Sequence, residues 1–281
     1  MKPIRSLVPF LAFVAMATPG GISAQAPPDT GAVKPPAAVT LRDLGWLAGS
    51  GGLAVLAHRA DASVRSEVRG PASQSNASLG ALADLGNGWG QPGVVVLGAA
   101  LWGGGLYARN EGVAAVGLRA LEAITVSSVV TKVLKGAFGR ARPRVAPGDA
   151  WDVEFGRGFG SGNGDYESFP SGHSTAAFAF AAAVTSEVAH RAPRHARLVG
   201  VASYTMALGT AYARTYRDAH WLSDVTMGAG IGIVGGLAVT RWHRTRPGNR
   251  VDAVLLAPAM RPLVRPAGDG RTDLGVTFSW R

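Results

Sequence analysis

The chain has 281 residues and a formal charge of +10; it is 47% hydrophobic and only 16% charged. An ordinary soluble domain is about 25% charged, so this chain buries unusually much surface or turns part of it to lipid. Cysteine is absent, which excludes disulfides, thiol nucleophiles and zinc–thiolate centres. The basic residues form no Lys/Arg-rich run and have no interleaved aromatic platform. That argues against nucleic acid and leaves phosphorylated substrates or anionic lipid as partners of the charge.

At the start, Lys2 and Arg5 precede an apolar run over residues 7–17, Pro19 and Gly20 break it, and Ala24-Gln25-Ala26 offers a small-residue cleavage site. This is the layout of a secretory signal peptide, and residues 1–26 are assigned to it; retained, the same run would be an N-terminal anchor. Either way the chain is exported. Residues 27–40, rich in Pro and Ala, read as a linker. Residues 41–245 read as one helical domain. Its apolar stretches lie at 41–57, 92–107, 174–188, 198–213 and 225–239, with a long helix-compatible stretch at 112–135, a mixed polar segment at 61–85 that reads as a short helix and a loop, and a loop at 149–169. Arg119 and Glu122 are spaced to share a helix face. The apolar runs span about 14 to 17 residues, short of the roughly 20 of a comfortable span, so membrane association is expected without a fixed number of crossings. Residues 246–281 read as a β-hairpin extension. Its strands are expected at 251–255 and 274–280, with Gly268-Asp269-Gly270 between them.

Three clusters carry chemistry. The first is Lys135, six residues, then Arg142-Pro143. The second is Pro170-Ser171-Gly172-His173. The third is Arg214, five residues, His220, three residues, Asp224. Three cations match a phosphoryl group in transfer, which spreads its charge over three equatorial oxygens. Ser171 adds a hydroxyl donor, and Gly172 lets backbone approach an anion at the start of the helix that follows. His220 and Asp224 are four apart and share a face if helical; a carboxylate on one ring nitrogen frees the other to attack phosphorus. His173, from another segment, can protonate the leaving oxygen and later activate water.

The order K-x6-RP, PSGH, R-x5-H-x3-D closely resembles the signature of the PAP2 superfamily of lipid phosphate phosphatases, bacterial acid phosphatases and vanadium haloperoxidases. The resemblance covers roughly residues 112–239. It implies an all-α bundle of about six helices and a site without metal or other cofactor. It also implies a covalent phosphohistidine on His220, with Asp224 and His173 completing the catalytic set and Lys135, Arg142, Ser171, Gly172 and Arg214 binding phosphate. Ala213 departs from the usual Ser before the arginine, which removes one hydrogen bond beside the site. The expected activity is hydrolysis of a phosphomonoester or diphosphate, lipid-linked or soluble, on the periplasmic side. A vanadate-dependent haloperoxidase and a non-enzymatic membrane protein with a degenerate site are the alternatives.

Other features have plainer readings. Gly230-x-Gly232-x-x-Gly235 has no strand before it and reads as helix packing rather than dinucleotide binding. The five glycines from Gly156 to Gly164 suggest a mobile lid, with Asp165 and Glu167 near its mouth. His58, His190, His195 and His243 read as surface or interfacial residues, Trp89 and Trp102 as interface anchors or core, and Trp221 as packing beside the site.

Overall fold

The computed structural model describes residues 37–256, 260–266 and 272–278. The signal-peptide segment 1–26 and most of the 27–40 linker lie outside the described residues. The body is all-α. Its helices are α1 (Leu41–His58), α2 (Asp61–Arg69), α3 (Ala77–Gly88), α4 (Val94–Tyr107), α5 (Glu111–Phe138), α6 (Gly172–Arg191), α7 (Pro193–Tyr216), α8 (Leu222–Arg244) and α9 (Arg250–Leu255). Among the described residues there are thus nine helices, besides the single turn Pro71–Gln74, and not about six. Two of the three additional helices lie in residues 61–88, where polar composition hides them, and the third is α9. Asn76 caps α3 by accepting from the Ser78 and Leu79 amides, and α2 buries Val64 and Val68 while keeping its other faces polar.

The helices are longer than their apolar runs: α5 has 28 residues and α8 has 23, because charged ends extend each of them. At the centre α6 packs against α5, α7 and α8. It is Ala-rich and its Ala176 to Ala183 stretch is almost wholly buried, so neighbouring backbones come close. The glycines of α8 complete this packing. A Cβ on Gly232 would overlap the Thr175 carbonyl, and one on Gly235 would overlap Ser127 Oγ.

Residues 251–255 form α9 and not a strand. Asn249 caps the helix through the Asp252 amide at 3.0 Å, and Leu256 closes a small apolar cluster with Ala114, Ala115 and Leu118. Beyond it, Met260–Pro266 and Thr272–Phe278 pair as two antiparallel strands, Met260 opposite Phe278.

Candidate active site

All three motifs meet at one end of the bundle. Lys135 lies in the last turn of α5, which ends on Gly139 in the left-handed region (φ 56°), where a side chain would strike the Glu154 carbonyl. That turn sends Arg140 and Arg142 back toward α8. Ser171 is the N-cap of α6, with its Oγ accepting from the Ser174 amide at 3.5 Å and the Ser174 hydroxyl at 3.1 Å. His173 follows in the first turn of α6. Arg214 sits in the last turn of α7, His220 in the connection that follows, and Asp224 in the first turn of α8.

Direct bonds lock these segments together. Lys135 Nζ donates to the carbonyls of Glu167 and, at 3.5 Å, Ser168, just before the Pro170 motif. Arg142 donates through Nε to Gly164 O at 2.8 Å and through Nη1 to Ala219 O at 3.1 Å, joining the first motif to the third. The Ser171 amide donates to the Asp224 carbonyl at 3.0 Å, joining the second to the third. A Cβ built on Gly172 would lie 3.7 Å from Lys135 Cε, so the start of α6 comes within contact of the lysine. Arg214 donates through Nη1 to Asn87 Oδ1 on α3 at 2.6 Å. His173 is walled by the α3–α4 junction, where a Cβ on Gly90 would lie 3.3 Å from its ring.

Charge is distributed unevenly. Among the described residues, Lys135, Arg142 and Arg214 have no carboxylate within ion-pair distance; neutral oxygens hold all three. Glu167 and Asp165, expected near the mouth, pair with Lys132 (2.7 Å) and Arg144 (2.6 Å), while their carbonyls accept from Lys135 Nζ and the Arg142 amide. His173 is pushed down to about 4 by burial first and then by the cations of Arg214, Lys135 and Arg142. His220 is also held well below the ordinary imidazole value. Burial leads there too, the same three cations add to it, and Asp224 opposes them. Arg214 is lowered to about 10 by burial and by Arg142 and Arg217. Each histidine therefore feels each of the three cations.

His220 Nδ1 lies 3.5 Å from Asp224 Oδ2 and is 3% exposed. This is ion-pair spacing, longer than a well-formed hydrogen bond. Asp224 Oδ2 also accepts from Ser168 Oγ (2.5 Å) and from the Trp221 amide (2.8 Å). Trp221 is buried beside the site and donates to Ala141 O at 3.1 Å.

Several polar residues were not singled out by sequence. Arg140 hides among the six unspecified positions of the first motif, yet it donates to Asp224 Oδ1 at 2.6 Å and to Asp61 Oδ2 at 2.8 Å. Asn87 and Asp61 reach the site from helices far upstream. A lone polar group at a helix end was their one visible sign. His58, read as a surface or interfacial residue, sits 3.0 Å from Asp61 and edge-on to Trp151. The 149–169 loop, which carries the glycines read as a lid, touches the end of α5. Gly158 backbone abuts Lys135 and Gly136, and Arg157 donates to Gly139 O and to Asp152 at 2.7 Å.

These elements define a helical bundle with a cluster of cationic and histidine side chains at one end. The model of the PAP2 superfamily matches residues 116–247. That segment is a PAP2-superfamily domain, the family to which the motif order pointed. Over 69 residues, 25% of this chain, the sequence is 42% identical to the lipid A 1-phosphatase of Porphyromonas gingivalis; the match spans 15% of that relative's length. The fold is similar to the transmembrane PAP2 type phosphatidylglycerolphosphate phosphatase from Bacillus subtilis. The TM-score is 0.49 and the identity 23%, over 75% of this chain and 96% of that one.

Proposed function

We propose that the protein is a metal-independent phosphatase that removes phosphate from a lipid-linked phosphomonoester or diphosphate through a phosphohistidine. The observation that carries this reading is the cluster of Lys135, Arg142 and Arg214, all aimed by neutral acceptors and none matched by a carboxylate, beside two histidines. Such a cluster is costly unless an anion completes it, and a phosphoryl group brings three equatorial oxygens to three cations. Ser171 and the Gly172 amide at the start of α6 add neutral donors.

In the proposed cycle the His220 Nε2 lone pair attacks phosphorus and the P–O bond to the alcohol or phosphate leaving group breaks. His173 gives the leaving oxygen its proton. Water then attacks phosphorus, His173 takes the water's proton, the P–N bond returns its electrons to His220, and orthophosphate departs. Asp224 holds Nδ1–H and stabilises the ring cation. Burial and the three cations hold His173 low, so its role as acid depends on the charge that the substrate brings. It starts neutral, and a bound phosphate dianion offsets the cations that depress it, so it gains a proton when it has one to give.

A lipid substrate is favoured by the outer surface and by the named relative. Val126, Val129, Val130 and Val133 stand exposed along one stripe of α5. Helices α5 and α8 are long and apolar enough to cross a bilayer, although the core helix of a soluble protein passes the same test. The signal-like start argues for export, with the site on the periplasmic side.

The test is phosphate release from phosphatidate, phosphatidylglycerol phosphate, a polyprenyl diphosphate and soluble esters, all in chelator. Release from at least one lipid in chelator, and none by His220→Ala, is expected. Activity that chelator abolishes, or that His220→Ala retains, removes the reading.

A further inference from the structure

Arg140 lies between the motif cations in sequence but points away from them. Its Nη1 donates to Asp224 Oδ1 (2.6 Å) and Ser223 Oγ (2.7 Å), and its Nη2 to Asp61 Oδ2 (2.8 Å) and Ala150 O (2.7 Å). Asp61 opens α2, outside the segment that matches the family, and is 1% exposed. Its oxygens accept from the Ser223 amide at 2.9 Å and the Ser223 hydroxyl at 2.6 Å. A guanidinium is thus clamped between two buried carboxylates, directly behind the one that faces His220.

We propose that Asp61 and Arg140 are a positioning pair for the reaction. Asp61 fixes the guanidinium, the guanidinium occupies Asp224 Oδ1, and Asp224 Oδ2 is left aimed at His220. This rests on the phosphatase reading for its effect on turnover, but the geometry stands apart from it. Arg140 takes Asp224 Oδ1, while Ser168 and the Trp221 amide bond Oδ2, which lies 3.5 Å from His220 Nδ1, so both oxygens of the carboxylate are fixed. The pair also sets the local charge. His220 faces Asp224 from α8, Lys135 from α5, Arg142 from the following loop and Arg214 from α7, with His173 on α6 depressed by the same cations. Behind Asp224 stand the Arg140 guanidinium and the Asp61 carboxylate, with His58 Nδ1 3.0 Å from Asp61 Oδ2 and 3.1 Å from Arg140 Nη2.

That arrangement gives a readout that a mere staple between α2 and α8 would not. His220 must be neutral to attack, so the low-pH limb of kcat/KM follows its protonation. Asp61→Asn removes a negative charge, disfavours the ring cation and moves the limb to lower pH. Arg140→Gln removes a positive charge and moves it to higher pH. The double variant returns toward wild type. With the full chain in detergent and p-nitrophenyl phosphate as probe, Asp61→Asn should lower kcat by up to about 100-fold with KM nearly unchanged. If Asp61→Asn does not fold, Ser223→Ala, which removes one link of the same clamp, should lower kcat about tenfold at constant KM. Limbs that move the same way, or a loss confined to KM or to thermal stability, would overturn the pair. Should wild type release no more phosphate than His220→Ala from p-nitrophenyl phosphate and from every lipid phosphate named above, the phosphatase reading falls. The pair is then read by ¹⁵N-histidine NMR of His220 in the same variants, where opposite shifts support it and parallel or absent shifts refute it.

Discussion

The two ends of the bundle each bury a polar cluster on α5 and α8, and they are balanced differently. At one end, Arg119 Nη1 meets Asp252 at 2.8 Å, and His243 sits between Glu122 (2.5 Å) and Asp252 (3.1 Å). Cation, carboxylates and imidazole close on one another and tie α9 to the bundle. About 24 Å along α5, at sixteen residues and 1.5 Å each, stand Lys135 and its companions, with neutral partners only. Both ends look alike as lists of residues: Arg, His and acidic groups, largely buried. What separates them is how the cations are matched: Arg119 faces a carboxylate at the Asp252 end, whereas Lys135, Arg142 and Arg214 face none at ion-pair distance. A closed network serves the fold; an open one calls for a ligand.

This contrast can be broken most sharply at the Lys135 end. His220→Ala should cut phosphate release by about 10⁴-fold or more, measured as kcat on any substrate that wild type accepts. His173→Ala should cost about 10² to 10⁴, with the smaller loss on substrates whose leaving group needs no proton. Arg214→Gln should weaken orthophosphate binding about 10- to 100-fold by calorimetry. It should also raise the titration of His173 from about 4 toward the ordinary imidazole value, since one of the depressing cations is gone. At the other end the sign of the outcome changes. Glu122→Gln should leave kcat and KM where they were and lower thermal stability, because a buried partner is lost. A fall in kcat comparable to that of Arg214→Gln would erase the distinction between the two ends.

The sequence shows the site more completely than it shows the fold. Lys135, Arg142, His173, Arg214, His220 and Asp224 stand in short fixed spacings, and spacing survives without knowledge of tertiary contacts. Asp61, Asn87 and Arg140 do not, because their partners lie roughly 80 to 160 residues away and only packing brings them close. His243 was misread as a surface or interfacial residue for the same reason; it is 6% exposed, between acidic groups from α5 and α9. The helices of residues 61–88 escaped because their apolar faces are narrow. Residues 251–255 alternate loosely enough to suggest a strand, yet the Asn249 cap and the Arg119–Asp252 pair make them a helix. Within the glycine-rich stretch 156–164, Gly158 makes a close backbone contact with Lys135 and Gly136 of α5 that the glycine pattern alone does not reveal.

The central claim is that His220 becomes phosphorylated within the Lys135–Arg142–Arg214 cluster. Its most direct test is rapid quench of the full-length protein with a ³²P-labelled substrate in chelator, followed by mapping of the label. The account predicts an acid-labile, alkali-stable label on the peptide that contains His220, absent in His220→Ala. Orthophosphate release with label on another residue, or with no labelled protein at any quench time in His173→Ala, would contradict it.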